Sequence, residues 1–591
     1  MPKMTNQERA ARVDLIAKSL EEARFRYTSK WYSNIAFFEN NHFVMWNTQS
    51  RVIDKIAAPP GRVMRAIPKA RRQIKAMQNM ILANEPRWSV IPDDLSNPQE
   101  SEKLAKAINH WLQELWQKIN VRKKLDTLVE NALIMPVAWL KIGFDKFKDE
   151  IFVEVKDAFD VLTPFYIDAD NYEDSPFIIE YMIKNIGDLE AIYGKAKTEK
   201  IMPDNRLAAS DYKNYRLEEK VNNRMLNVER ELQTVVVKVM FEKVKREGQK
   251  NLIKKTTVAG MNQSVFLDYE EYESNNYPFV PYSPNTGSFY QPAKIEELIP
   301  TNKGLDMFVS SIENYTDLMV KGRYQKQKGN NVSRITNETG EIVEYTTAPL
   351  EQMPLIPIPN YLFAQIQNYE KWIEESGVST SALGKVPRGI RAYKAIESLK
   401  QSDYANLRVP VSNLADALQK MTEKIIDLAA EHYLIPRTVY RSEDEQSENF
   451  QVIGEAGAKQ PINEDVMRGE NPPIVIKGSY RVKCVIENGL SYTEEGKRDT
   501  LRELFQGGVI SAKHLLKGFN FANVQEILDE VAAESGPSMI DCADFKILPP
   551  ELQQTILQYL SQPDVALTNP LARAEVIQKK RKASRRSMRK S

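Results

Sequence analysis

Seven apolar side chains between residues 407 and 428 recur at alternating steps of four and three: Leu407, Val411, Leu414, Leu418, Met421, Ile425 and Leu428. This heptad spacing draws one narrow stripe along an α-helix. It predicts a single long helix over 392–433, and Pro410 inside it predicts a kink rather than an end. Two architectures use such a stripe. One is a coiled-coil dimer or trimer, and the other is a large fold that lays one long helix into its core. The stripe covers only three heptads, so both readings stand at this point.

The residues before that helix narrow the choice. Leu305, Phe308, Ile312, Tyr315 and Met319 predict a helix over 301–322 with its own apolar seam. Ile335-Thr336 and Glu341-Ile342-Val343-Glu344-Tyr345 flank Asn337-Glu338-Thr339-Gly340, which is a hairpin signal. Three prolines in 353–359 then force an extended path. A second seam helix carries Leu362, Ile366, Tyr369 and Ile373 and stops at Gly377. The loop 378–391 follows, rich in small residues and glycine, with Lys385, Arg388 and Arg391 as its cations.

The first third reads as helical. Residues 8–40 repeat Val13, Ile16, Leu20 and Phe25 among charges. Residues 66–84 read as a basic amphipathic helix that ends before the extended segment 85–92, because Pro86 pushes its predecessor out of the helical region. Leu104, Ile108, Trp111, Leu115 and Ile119 mark a helix over 99–119, and another covers 121–135. The stretches 151–156, 233–243 and 480–486 alternate with period two, and 165–167 reads as a short strand. One wetter face on each argues for antiparallel sheet. Repeated strand–helix alternation, which a parallel enzyme core needs, is missing.

Known catalytic signatures are also missing. The four histidines, His42, His110, His432 and His514, have no second His or Cys at metal-ligand spacing, so each reads as structural or surface. Three Gly-Lys pairs lack the upstream glycine of a phosphate-binding loop, and no nucleophile elbow occurs. The run Asp168, Asp170, Glu173, Asp174 opens like a calcium loop but has Glu173 at the glycine position and Ile179 at the closing acid, so it reads as a solvated turn. Cys484 and Cys542 are too few for a disulfide framework and suit a reducing compartment. The N-terminus has no apolar signal region, and the longest apolar run, 133–140, is broken by Pro136 and too short to span a bilayer. No cofactor, metal or membrane contact is expected.

Charge is nearly balanced, with 81 Lys+Arg against 80 Asp+Glu, but it is asymmetric. From residue 579 on there are eight cations and no acid: Lys579, Lys580, Arg581, Lys582, Arg585, Arg586, Arg589 and Lys590. That tail is either a nucleic-acid contact or a flexible solubilising end.

The order of features from 300 to 433 resembles the portal proteins, or head-tail connectors, of tailed double-stranded DNA bacteriophages. The phrases that carry the likeness are NKGLDMFVSSIENYTDL (302–318), the hairpin and proline segment of 323–359, and YLFAQIQNYEKWIEESGVSTSALGKVPRGIRAYKAIESL (361–399). RRQIKAMQNMILANEPRWSVIP (71–92) and YTEEGKRDTLRELFQGGVISAKHLLKGF (492–519) add to it. The resemblance implies an α+β, predominantly helical, elongated protomer with small antiparallel sheets and one long kinked helix. It divides the chain into a wing (1–300, helices then strands), a first stem helix (301–322), a clip (323–359), a second stem helix (360–377) and a tunnel loop (378–391). The long kinked helix (392–433), further wing strands (434–500), crown helices (501–560) and a basic tail (561–591) complete it.

The implied function is a dodecameric ring at one capsid vertex, assembled in the host cytoplasm, through which DNA is packaged and ejected. No enzyme activity is expected, since a separate terminase drives packaging. Lys385, Arg388 and Arg391 would face DNA from the tunnel loop, as would Lys579, Lys580, Arg581, Lys582, Arg585 and Arg586 from the tail. Their contacts would be to phosphates, without sequence specificity, or the loop cations would pair with acids on a neighbour. Ile335, Glu341, Ile342 and Tyr345 of the clip would meet terminase and then head–tail adaptor or tail proteins. Capsid and scaffolding proteins are the other implied partners. The rival readings are an intracellular coiled-coil scaffold with a nucleic-acid-binding basic tail, and an enzyme using the acids of 168–174.

Overall fold

The computed structural model describes residues 4–47, 52–83, 86–91, 98–203, 232–246, 250–261, 263–321, 324–332, 342–346, 348–354, 359, 361–378, 405–439, 450–463, 467, 472–477, 480–486, 501–502, 504–507, 510 and 515–516. The chain divides into Met1–Gly496 and Lys497–Ser591. In the second unit 501–502, 504–506 and 515–516 are helical. All elements named below belong to the first.

Helix α1 spans Asn6–Phe38 and starts with a capping box. The Glu8 N–H donates to the Thr5 hydroxyl, and the Thr5 N–H donates back to the Glu8 carboxylate. A hairpin of β1 (Val44–Asn47) and β2 (Val52–Lys55) follows. Then come α2 (Lys69–Ile81), β3 (Arg87–Ile91), α3 (Pro98–Lys118) and α4 (Val121–Ile134), each where periodicity predicts it. The apolar stripe of α3 buries Ile108, Trp111 and Leu115.

The middle of the unit is sheet. Its strands are β4 (Ala138–Asp145), β5 (Glu150–Lys156), β6 (Val161–Leu162) and β7 (Phe177–Asn185). After short helices α5 (Ile186–Tyr193) and α6 (Lys195–Thr198) come β8 (Thr234–Val244), β9 (Leu252–Ala259), β10 (Val265–Glu273) and β11 (Phe279–Tyr282). One sheet has the order β10-β9-β8-β7-β6 and another β11-β4-β5, all antiparallel. Buried Glu180 of β7 meets Lys141 of β4 at 2.8 Å and Lys156 of β5 at 3.2 Å, so an ion cluster ties the two sheets together.

Two strand expectations change. Residues 165–167 form a turn, closed by the Ile167 N–H donating to Pro164 O at 3.2 Å. The wetter face expected on 233–243 is absent: Val235 to Phe241 are all buried. The first half of α1 supplies Ala10, Val13 and Ala17 to a separate small core with Val236, Met240 and Val258, and the other face joins the main core. Even Lys238 is buried, because Asp14 of α1 at 2.8 Å and Met261 O at 2.7 Å take its protons.

The remaining elements are α7 (Lys294–Lys321), β12 (Tyr324–Gln325), β13 (Glu351–Gln352), α8 (Tyr361–Ser376), α9 (Arg408–His432), β14 (Arg437–Val439), β15 (Phe450–Gly454), β16 (Ile474–Ile476) and β17 (Arg481–Val485). β17 pairs antiparallel with β3, while β15 and β16 form a parallel pair that alternation alone did not distinguish.

The helix expected over 301–322 begins earlier, at Lys294, and runs through Pro300. A proline inside a helix costs about 3 kcal/mol. Ile295 and Leu298 of the extra turn are fully buried, and burying both returns about 3–6 kcal/mol. The interruption expected at Pro410 falls one turn before it, at Leu407. Residues 405–406 are helical, Leu407 is a turn, and α9 starts at Arg408 with Pro410 in its first turn, where no N–H is needed. Residues 392–404 lie outside the described residues.

The heptad stripe itself is inside the protomer. Leu407, Leu414, Leu418, Met421 and Ile425 are buried, and Val411 and Leu428 pack against the same core. The C-terminal end of α9 fits closely under β15. The Gly454 N–H donates to Tyr433 O at 2.9 Å, and a Cβ at Gly454 would lie 2.4 Å from Ala429 O. A stripe so enclosed leaves no seam for a second copy.

Candidate functional site

α7 and α8 lie side by side. Gly304 allows it, since a Cβ there would meet the Tyr369 ring at 2.8 Å. Phe308 and Tyr369 then sit 6.0 Å apart between ring centroids, and Tyr369 meets Trp372 edge-on at 5.3 Å. The two apolar seams close on each other only at the base. Leu305 and Ile373 are buried, whereas Phe308, Ile312, Tyr315, Leu362, Ile366 and Tyr369 stay half-buried. Large apolar residues on the two flanks of α8 face solvent: Tyr361 is 70% exposed and Trp372 44% on one flank, and Phe363 is 50% exposed on the other.

A polar ladder fixes α7 to the rest of the unit. Asn302, Asp306, Ser310 and Asn314 recur every four residues, a rise of about 6 Å per step. The chain before α2 runs past them, and its alternate residues Val63, Arg65 and Ile67 advance up to about 6.6 Å per step before Ala70 of α2 makes the last contact. The near-equal steps let the two zip together in opposite directions. The Val63 N–H donates to Asn314 Oδ1 (2.6 Å), Arg65 N–H to Ser310 Oγ (2.8 Å), Ile67 N–H to Asp306 Oδ1 (2.8 Å) and Ala70 N–H to Asn302 Oδ1 (2.9 Å). His42, buried and stacked on Phe37, contacts the other Asp306 oxygen through Nδ1 at 2.5 Å. The apolar seam of this helix dominates its sequence and masks the polar row, although the four-residue repeat is visible in 302–314.

Beyond α7 the only described ladder of 323–359 is β12 with β13, pairing Tyr324 with Gln352 and Gln325 with Glu351. The hairpin expected over 335–345 is not supported on its described side: 342–345 form no strand. These residues expose Ile342 (88%), Val343 and Tyr345, so their alternation places no side chain in a core. Ile335 and Glu341 lie outside the described residues. Asn330 holds the base of this segment, donating from Nδ2 to Ala348 O at 2.8 Å and accepting from the Val332 N–H at 3.1 Å.

The end of α8 is seated on α2. Buried Gln73 accepts a hydrogen bond from the Val378 N–H at 2.9 Å, and Gly377 packs under the same side chain. The chain thus enters 379–391 from a fixed point on α2. Lys385, Arg388 and Arg391 lie outside the described residues, as do Lys579, Lys580, Arg581, Lys582, Arg585 and Arg586. Among the described residues, nothing brings the three groups of predicted site residues together.

The acidic run is a solvated turn at Asp168 and Asp170, and its Glu173 is a fastening. Asp168 accepts from the N–H groups of Asp170 and Asn171, both at 3.0 Å. Glu173 meets Lys243 at 2.8 Å and Lys424 of α9 at 2.5 Å. Lys424 also donates to Tyr277 O (2.6 Å) and Phe279 O (2.8 Å), so its three protons are placed. Burial pulls the Lys424 ammonium down to about 8 in spite of the carboxylate. Burial pushes the Glu173 carboxyl up, but Lys424 and Lys243 outweigh it and hold the group below its ordinary range. The sequence hid this role because both lysines are distant in the chain. Among the described residues no group of three or more His, Cys, Asp or Glu is arranged to hold a metal ion, and no helix is long and apolar enough to cross a membrane.

Among known families, the one described as phage P22-like portal protein matches this chain over residues 22–585. No curated protein matches it.

Proposed function

This chain belongs to the P22-like phage portal family, and from that premise we propose that twelve copies close into a ring at one capsid vertex through which double-stranded DNA is packaged and later ejected. The family is structural: its members are head–tail connectors of the bacteriophage virion. In the proposal 1–300 and 434–500 form the wing, α7 and α8 the stem, 323–359 the clip, 378–391 the tunnel loop, and 501–560 the crown. Lys385, Arg388 and Arg391 meet phosphates in the lumen, and the cations of 579–590 touch packaged genome. Terminase docks at the clip during packaging, and adaptor or tail proteins dock there afterwards, with Ile335, Glu341, Ile342 and Tyr345 in the contact. Capsid and scaffolding proteins surround the ring. Assembly takes place in the host cytoplasm.

The observation that carries the reading is the placement of apolar surface. The α9 stripe, on which the coiled-coil reading rests, is buried in its own protomer, while Tyr361 and Trp372 on one side of α8 are exposed. A ring needs one face of each protomer against a different face of its neighbour, and an exposed helix side supplies one of the two. The near balance of charge also suits a conduit, since each phosphate held tightly adds friction to sliding DNA.

The test is the DNA content of heads assembled with and without this chain. Heads should fill only when it is supplied, and filled heads in its absence would sink the reading. The Lys385→Ala, Arg388→Ala, Arg391→Ala variant should form rings yet alter packaging or DNA retention. Unchanged DNA content would remove the loop from the proposal.

A further inference from the structure

Between Asp54 and Glu85 the chain carries seven cations and no acid: Lys55, Arg62, Arg65, Lys69, Arg71, Arg72 and Lys75. Three are matched by carboxylates from other elements. Arg65 meets Glu313 at 3.1 Å, Lys69 meets Glu370 at 2.7 Å and Lys75 meets Glu130 at 2.5 Å. Arg62, Arg71 and Arg72 are exposed and meet no carboxylate among the described residues. Arg71 lies over the Phe38 ring, with its guanidinium carbon 5.3 Å from the centroid, which steadies the side chain and leaves its N–H groups to solvent.

Their position argues against a stabilising role. The first turn of α2 holds Lys69, Arg71 and Arg72 and no acid. The helix macrodipole puts its positive end there, so each cation in that turn costs about 0.3–1 kcal/mol where an acid would gain it. The buried face of α2 is set by Ala70, Gln73, Ile74, Met77 and Ile81, so arginine at 71 and 72 is not needed for packing. Cations kept against the dipole, with no carboxylate beside them among the described residues, suit an external anion. Arginine's planar fork matches a phosphate with two parallel hydrogen bonds.

We propose that Arg71 and Arg72 of α2, at the root of the loop that begins at Val378, and Arg62 on the chain before α2 form a DNA-backbone contact. The root is fixed by the Gln73–Val378 hydrogen bond, one turn or less from both α2 arginines. This rests on the conduit reading above and adds residues that the loop and tail did not include. The contact takes phosphates of any sequence, because guanidinium groups on a helix face with no partner to enter a groove read no bases.

The experiment is fluorescence anisotropy of a labelled, mixed-sequence double-stranded DNA fragment with full-length rings, across about 50–200 mM salt. Arg62→Ala, Arg71→Ala, Arg72→Ala should flatten the slope of log K against log salt by about 0.9 for each phosphate the variant no longer neutralises. The corresponding lysine variant should restore most of the slope. The thermal midpoint of the alanine variant should be unchanged or slightly higher, which a structural role would not give. A wild-type slope in the alanine variant overturns the proposal. If the loop variant at 385, 388 and 391 still flattens the slope, only this proposal fails and the conduit reading stands. If wild-type rings show no salt-dependent DNA binding, this proposal fails, and the conduit reading is judged by the DNA content of assembled heads. If the alanine variant melts normally but forms no rings, the arginines meet a neighbouring copy's acids instead, and the DNA contact is rejected.

Discussion

Asp306 shows how much one side chain of this protein holds. It accepts from the Ile67 N–H and Asn302 Nδ2 and contacts His42, all in a buried setting. Asp306→Ala removes the acceptor and leaves several polar groups unpaired. A loss of about 3–5 kcal/mol in unfolding free energy is expected from denaturant titration, against about 0–1 kcal/mol for Arg65→Ala, whose partner is surface-exposed. Glu173 makes the equivalent test in pH. Its folded-state pKa lies below the ordinary 4.5 because two buried lysines face it. The stability it contributes is therefore complete above about 4.5 and lost as pH falls through the lower folded value. Glu173→Gln should be less stable at neutral pH and show a shallower acid limb; an unchanged limb would mean that the lysine pairing does not stabilise the fold. Neither residue was legible as structural in the sequence. Asp306 pairs with groups more than two hundred residues away, and Glu173 sits in a run that imitates a calcium loop.

At the scale of elements, local periodicity was enough to find the helices. The steps of four and three in 407–428 and the seams of 301–322 and 360–377 each describe a helix face, and a face depends only on near neighbours. What covers that face depends on distant chain. Thus the α9 stripe suits a coiled coil or a core equally well by sequence, and Trp111, Tyr282 and Val482 in the same buried cluster decide for the core. The dry outer face of β8 needed Ala10 and Val13 of α1. One boundary differed, at the start of α7, where the helix runs through Pro300 to Lys294. Because the stripe is internal, Leu418→Ala should cost about 2–5 kcal/mol of stability. It should leave the subunit number of the assembled particle unchanged; dissociation of an otherwise stable chain would restore the coiled-coil reading.

The whole molecule is a protomer with one set of apolar helices enclosed and another left open. In the proposed ring, the α8 face of Tyr361 and Trp372 meets the neighbouring copy. Serine at both should change the monomer's thermal midpoint little, since both side chains are exposed, yet prevent assembly. Rings of normal size from that variant would move the interface elsewhere. The sequence carried this level through resemblance alone, because no single chain shows how its surface is covered by others. The particle mass of the purified full-length protein tests the ring most directly. From a chain of 67.8 kDa, a closed species of about 0.8 MDa is expected. A dimer or trimer persisting at high protein concentration and across salt conditions would contradict it.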